Sequence, residues 1–252
     1  QTNAYWGDQP GVSGPVYVGI IVAFLFILGM FLVKGRLKWT LFTITIISIF
    51  LAWGKNWMPF TDFFIDYIPG YNKFRAVSMT LVIAELAIPI LAFLTLGKIV
   101  EDPSILKRNR NALFISFGLT GGLALLFYLA PATFFSFMSG GEKLQFAQLL
   151  ETNDAAQVNQ YLDSLKRVRI EIFKADAIRG FFFVLAAAGL VYLFSMQKVK
   201  RSWLIIGVGV LILMDMSSVN RRYLNNENFI RAREFDNPFT ASSADNYILN
   251  DN

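Results

Sequence analysis

Apolar residues fall along this chain in runs of fifteen to twenty, and the short stretches between them carry most of the charge. Residues 15–33 hold no charged side chain. At about 1.5 Å per residue a helix there is long enough for the roughly 30 Å hydrocarbon layer of a bilayer. Pro15 suits its first helical position. A shorter run, 39–53, has Trp at each end. The third, 77–96, is interrupted by Glu85 and Pro89. The fourth, 112–129, carries Gly118, Gly121 and Gly122, which permit close helix contact. The fifth is 177–196, and the sixth is 203–218 with Asp215 in its last turn. The pattern predicts an all-α membrane protein, a bundle of about six transmembrane helices. A polar segment, 1–14, precedes the bundle at 15–218, and 219–252 begins an extracytoplasmic domain.

Two intervening stretches are too patterned to be linkers. Residues 53–80 are dense in Trp, Phe and Tyr, with Asp62 and Asp66 four apart and a basic pair, Lys73 and Arg75, before the third run. Rings with one wet end favour the membrane–water boundary, so a loop lying on the bilayer is expected there. In 131–176, Thr152, Asn153 and Asp154 are N-cap candidates. Val158, Leu162, Leu165, Val168 and Ile172 follow at helical spacing, an amphipathic stripe. No Pro or Gly intervenes before Gly180, so one extended helix over 155–196 is predicted. It should project past the bilayer and pack on residues 54–76.

Composition narrows the class. Of 252 residues 55% are hydrophobic, 25 are Phe, and only 16% are charged against about 25% in soluble domains. The net charge of +5 does not point to nucleic acid. Ten of the 23 basic residues cluster in the short loops 34–38, 98–111 and 197–202, which hold 3, 4 and 3 Lys/Arg. The positive-inside rule makes that side cytoplasmic and both ends of the chain outer. There is neither Cys nor His, which removes disulfides, thiolate metal sites, imidazole bases and His-ligated metals. No cofactor or metal is expected. With Gln1 first, no basic leader, and an end inside a polar stretch, the chain reads as an internal piece of a longer protein.

Several stretches together resemble the YfhO family of bacterial polytopic membrane proteins. They are Tyr5-Trp6-Gly7-Asp8-Gln9-Pro10 before Ser13-Gly14-Pro15-Val16-Tyr17-Val18-Gly19, then Pro69-Gly70-Tyr71-Asn72-Lys73-Phe74-Arg75, Lys174-Ala175-Asp176-Ala177-Ile178-Arg179, and Asp215 with Asn220-Arg221-Arg222-Tyr223-Leu224. The resemblance spans the chain. It implies the middle of a protein similar to type C glycosyltransferases, which take a sugar from a polyprenyl-phosphate carrier at the outer face of the membrane. That family's catalytic acid lies in a first outer loop that no stretch here matches, so the resemblance assigns no catalytic residue. The other reading is a non-catalytic membrane scaffold or transport subunit.

Transfer from a lipid phosphate needs cations or a helix N-terminus to stabilise the leaving phosphate. Lys73, Arg75, Arg179 and Arg221 are the candidates, with Arg75 foremost because a helix N-terminus follows it. Glu85 at mid-span, Asp176 and Asp215 form a possible polar site. Their blander roles are a protonated Glu85 bonded to Thr43 or Thr45, a surface pair of Asp176 with Arg179, and an interfacial pair of Asp215 with Arg221 or Arg222. Asp215 could instead orient Arg75 or Arg179. Lys166, Arg167 and Arg169 read as a solvated face, and Asp62 with Asp66 is a weak metal signal.

Overall fold

A computed structural model of the chain describes residues 6–7, 16–73, 77–152, 154–226, 229 and 242–249. Among these every regular element is helical: α1 Ile20–Leu32, α2 Arg36–Trp53, α3 Met58–Tyr67, α4 Leu81–Glu101, α5 Ile105–Arg108, α6 Arg110–Phe117, α7 Leu123–Leu129, α8 Pro131–Phe134, α9 Gly140–Thr152, α10 Ala155–Ser195, α11 Arg201–Tyr223 and α12 Ser243–Leu249. A π-helical turn, Gly118–Gly122, joins α6 to α7 without a break. Among the described residues five stretches are long and apolar enough to cross a membrane: Arg36–Tyr67, Val77–Glu101, Arg110–Leu129, Ala155–Ser195 and Arg201–Tyr223. The molecule is an all-α, multi-pass membrane bundle.

The first run is the exception in length and the centre in packing. Its helix has 13 residues rather than the predicted 19, because Val16 to Gly19 are not helical. Being apolar on every side, α1 can be surrounded. It packs against α4 on one flank and α6, α10 and α11 on the other, with Ile21, Phe24, Leu25 and Leu28 sealed from solvent. Beyond α4 lies α2. The cross-links there are hydroxyl bonds, Ser48 Oγ donating to Thr80 O at 2.6 Å.

α1 and α4 approach closely at Gly29. A Cβ there would run into Thr95 Oγ1 and lie 3.0 Å from Leu91 Cγ. Thr95 is fully buried and its hydroxyl is committed to Leu91 O at 2.7 Å, so it has little room to yield. Gly29→Ala is expected to cost about 1–3 kcal/mol of stability through overpacking, and adding Thr95→Ala should return much of it. Thermal unfolding in detergent of the two single variants and the double checks this. Simple additivity would contradict the contact. Of the three fourth-run glycines only Gly121 makes such an approach, toward Val184 on α10 at 3.2 Å. Gly118 faces open space, and Gly122 meets only its own helix.

The described residues of 53–80 do not form a loop. Most are helical, a short 3-10 turn (Gly54–Trp57) leading straight into α3. Pro59 sits in the first turn of α3, and Thr61 Oγ1 donates back to Gly54 O at 2.9 Å. Phe50, Trp57, Phe60 and Phe64 touch ring to ring in sequence, Phe50 edge-on to Trp57 and Trp57 stacked nearly parallel on Phe60 at 5.0 Å. Ring-on-ring contact at helical spacing orders a segment whose composition alone indicates only a boundary location. Asp62 and Asp66 are both exposed on α3.

α10 is the single uninterrupted 41-residue helix expected from the absence of Pro and Gly before Gly180, about 60 Å long at 1.5 Å per residue. Asp154 caps it, accepting from Ala156 N–H at 2.9 Å. The helix packs against α1, α5, α6, α7, α8, α9 and α11, whereas α3 packs on α2, so among the described residues the expected packing on 54–76 is not seen. Its packed stripe also differs from the predicted one. Val168 and Ile172 are exposed, and Arg169 and Phe173 point inward instead. Arg169 is fully buried, which overturns its place on a solvated face. Its guanidinium forms a two-pronged pair with Glu142 of α9 at 2.6 and 2.9 Å and donates to Phe137 O at 2.9 Å. Phe173 packs among Phe127, Phe135 and Phe137, and Trp6 lies 5.0 Å from Phe137.

Candidate functional site

The end of the bundle where α1 begins holds a line of four charges drawn from α10 and α11. Asp215 is fully buried two turns before the end of α11, because the helix runs to Tyr223 rather than stopping near 218. Arg179 Nη1 donates to Asp215 Oδ1 at 2.5 Å and to Ser218 Oγ at 2.8 Å. Asp176, one turn before Arg179, lies 3.5 Å from its Nε. Arg222 reaches across from α11 and grips both oxygens of Asp176, at 2.5 and 2.6 Å. Side-chain exposure climbs along the line from 0% at Asp215 through 20% and 35% to 46% at Arg222. The signs alternate, so the deep end is neutralised and the cation at the rim stays accessible.

Asp215 also explains the short first helix. Ile20 N–H donates to Asp215 Oδ2 at 3.0 Å, so a carboxylate from another helix satisfies a free N–H at the start of α1 and meets the positive end of its dipole. Tyr17 O–H, 2.9 Å from both oxygens, completes the coordination, and the Tyr17 ring lies 5.8 Å from the Arg179 guanidinium carbon. Gly19 allows this approach. Its φ is +87°, and a Cβ would stand 3.4 Å from Asp215 Oδ2 and 3.2 Å from Met216 Sδ.

Above this network opens a cavity of about 390 Å³ between the start of α1, α7, α10 and α11. Tyr17, Asp176, Arg179, Arg222 and Tyr223 form its polar side. Phe127, Phe173, Ala124 and Ile20 form an apolar wall. Arg222 spends two of its five N–H donors on Asp176, which leaves its fork able to take a second anion.

The structure therefore unites Asp176, Arg179 and Asp215 from the predicted set and adds Tyr17, Ser218 and Arg222. Arg221 is exposed and does not line the cavity. Helical geometry separates the two arginines. Seven residues beyond Asp215 return within about 20° of its direction, whereas six residues fall about 120° away. Lys73 lies in the short turn after α3, away from this cavity. Phe74, Arg75 and Ala76 lie outside the described residues. Glu85 is half-buried on α4 and bonds to neither Thr43 nor Thr45; the Thr45 hydroxyl donates instead to Leu41 O. No group of three or more metal-ligating side chains occurs among the described residues.

Fold and site together define a polytopic helical membrane protein with a charged, half-apolar cavity at one end of its bundle. The chain matches no family model, no curated protein and no solved structure.

Proposed function

We propose that this chain is the central membrane portion of a YfhO-type glycosyltransferase. It would use a polyprenyl-phosphate-linked sugar at the outer face of the bacterial cytoplasmic membrane, with the carrier's phosphate received in the cavity beside Arg222 and Arg179. The observation that carries this reading is a half-exposed arginine fork facing the same chamber as an apolar wall of Phe127 and Phe173. A lipid phosphate needs both, a charge-assisted donor for the headgroup and a dry surface for the first isoprene units. Orientation supports it. Lys107, Arg110, Ser195 and Met196 meet at the end of the bundle opposite the cavity, which gathers the basic loops there. By the positive-inside rule that end is cytoplasmic and the cavity faces outward. Asp176, gripped by Arg222 and 3.5 Å from Arg179 Nε, positions the arginines rather than acting as the base. The chain then supplies leaving-phosphate contacts.

Arg222→Gln should weaken polyprenyl-phosphate binding about tenfold or more, the scale of a lost hydrogen bond to a charged group. Arg221→Gln should change it little. Titration of the detergent-solubilised protein with the lipid measures both. One observation favours a non-catalytic scaffold, namely that the four charges already sum to zero within the chain. On that reading Arg222→Gln would lower stability without affecting lipid affinity.

A further inference from the structure

The opposite end of the bundle carries a second hollow, of about 330 Å³, where α5 and α6 meet the end of α10. Its floor is apolar, with Leu106 and Leu113 buried, and its open edge is formed by Phe114 and Met196, 60% and 42% exposed. Lys107 and Arg110 stand on its rim. The loop containing them has four cations, and two are already engaged. Lys98 pairs with Glu101, while Arg108 pairs with Asp102 and donates from Nη1 to Ser104 Oγ. Asp102 is correspondingly held below the usual carboxylate range, chiefly by the Ser104 hydroxyl and then by Arg108. Lys107 and Arg110, by contrast, make no hydrogen bond or ion pair with any described residue, and both face the hollow. Lys198, Lys200 and Arg201 on the adjoining loop are also exposed and add to the positive field.

We propose that this hollow binds the phosphate of an acidic membrane phospholipid, with Lys107 and Arg110 clamping the headgroup and Phe114 and Met196 receiving the upper acyl chain. The pairing of neighbouring cations leaves two aimed at one place, and that selects an anion. The exposed apolar edge beside them selects one with a tail. This site is independent of the cavity at the other end.

The test is native mass spectrometry of the whole protein released from neutral detergent, with phosphatidylglycerol, phosphatidylcholine and glycerol phosphate offered in turn. Phosphatidylglycerol should be retained in preference to phosphatidylcholine, and glycerol phosphate should not be retained. Lys107→Gln with Arg110→Gln should reduce phosphatidylglycerol retention at least about tenfold. Lys34→Gln with Arg36→Gln, which removes two charges from another basic loop, should leave it within about twofold. Equal retention of the two lipids would overturn the site, as would an equal loss in the control pair. Glycerol phosphate binding as well as the lipid would make it a soluble-phosphate site and overturn the lipid assignment. The lipid preference of the unaltered protein is read without any variant, so poor folding of the double variant does not remove the test.

Discussion

Asp215→Ala is expected to lower the stability of the bundle by about 3–5 kcal/mol, the cost of leaving a buried charge without its partner. The side chain is sealed from solvent and answers three donors at once: Arg179, Tyr17 and the Ile20 backbone N–H. Bonds from Tyr17 and Ile20 to a carboxylate are charge-assisted and contribute on the order of 1.5 kcal/mol or more each, so they share the loss with the Arg179 pair. The charge pair supplies the part that a neutral acceptor cannot restore. Asp215→Asn distinguishes the two contributions. Its carbonyl can still accept from Ile20 or Tyr17, but its amide would turn donors toward Arg179. Most of the loss should therefore persist in Asn. A double variant, Asp215→Asn with Arg179→Gln, should recover a substantial part by removing both charges. Thermal or denaturant unfolding in detergent gives all three values. A loss below about 1 kcal/mol in Asp215→Ala would show that Arg179 is adequately solvated without it.

Elements whose cause is local were legible in the sequence. The continuous α10 follows from an Asp cap and the absence of Pro or Gly between that cap and Gly180, and the span positions follow from apolar runs between charges. The failures share a different cause, contact with a distant segment. The first helix begins four residues after Val16 because Asp215, 195 residues from Ile20, takes its first N–H. The stripe on α10 is turned because Arg169 binds a carboxylate 27 residues away and Phe173 enters an aromatic cluster. An arginine among Lys166 and Arg167 carries no mark of burial in a single sequence. Arg222 was within reach. Asp215, Ser218 and Arg222 share one face of α11 at helical spacing, and that face alone separates Arg222 from Arg221.

Arg169→Lys is expected to detach α9 from α10, although it preserves the charge. The guanidinium donates to both oxygens of Glu142 and to the Phe137 carbonyl. An ammonium on a flexible stem lacks that planar fork. Breaking a buried pair costs about 3–5 kcal/mol, and because Glu142 keeps 19% of its side chain exposed the lower end applies. The bridge should also respond to acid. The hydrogen bond from Arg169 holds the Glu142 carboxyl below its ordinary value of 4.5, and Ser139 N–H contributes through a bond of 2.9 Å. A carboxyl depressed by folding stabilises the folded state fully above its unfolded value, and that stabilisation fades as pH falls through the lower, folded value. Hydrogen exchange in α9 should thus stay slow at neutral pH and quicken, after correction for intrinsic rates, only below about 4.5 in the native protein. In Arg169→Lys it should be fast at neutral pH already. Glu142→Gln should lose the acid-dependent step while keeping a weaker contact to Arg169. Slow exchange in α9 of Arg169→Lys at pH 7 would show that the aromatic cluster around Phe137, rather than the ion pair, fastens α9 to the long helix.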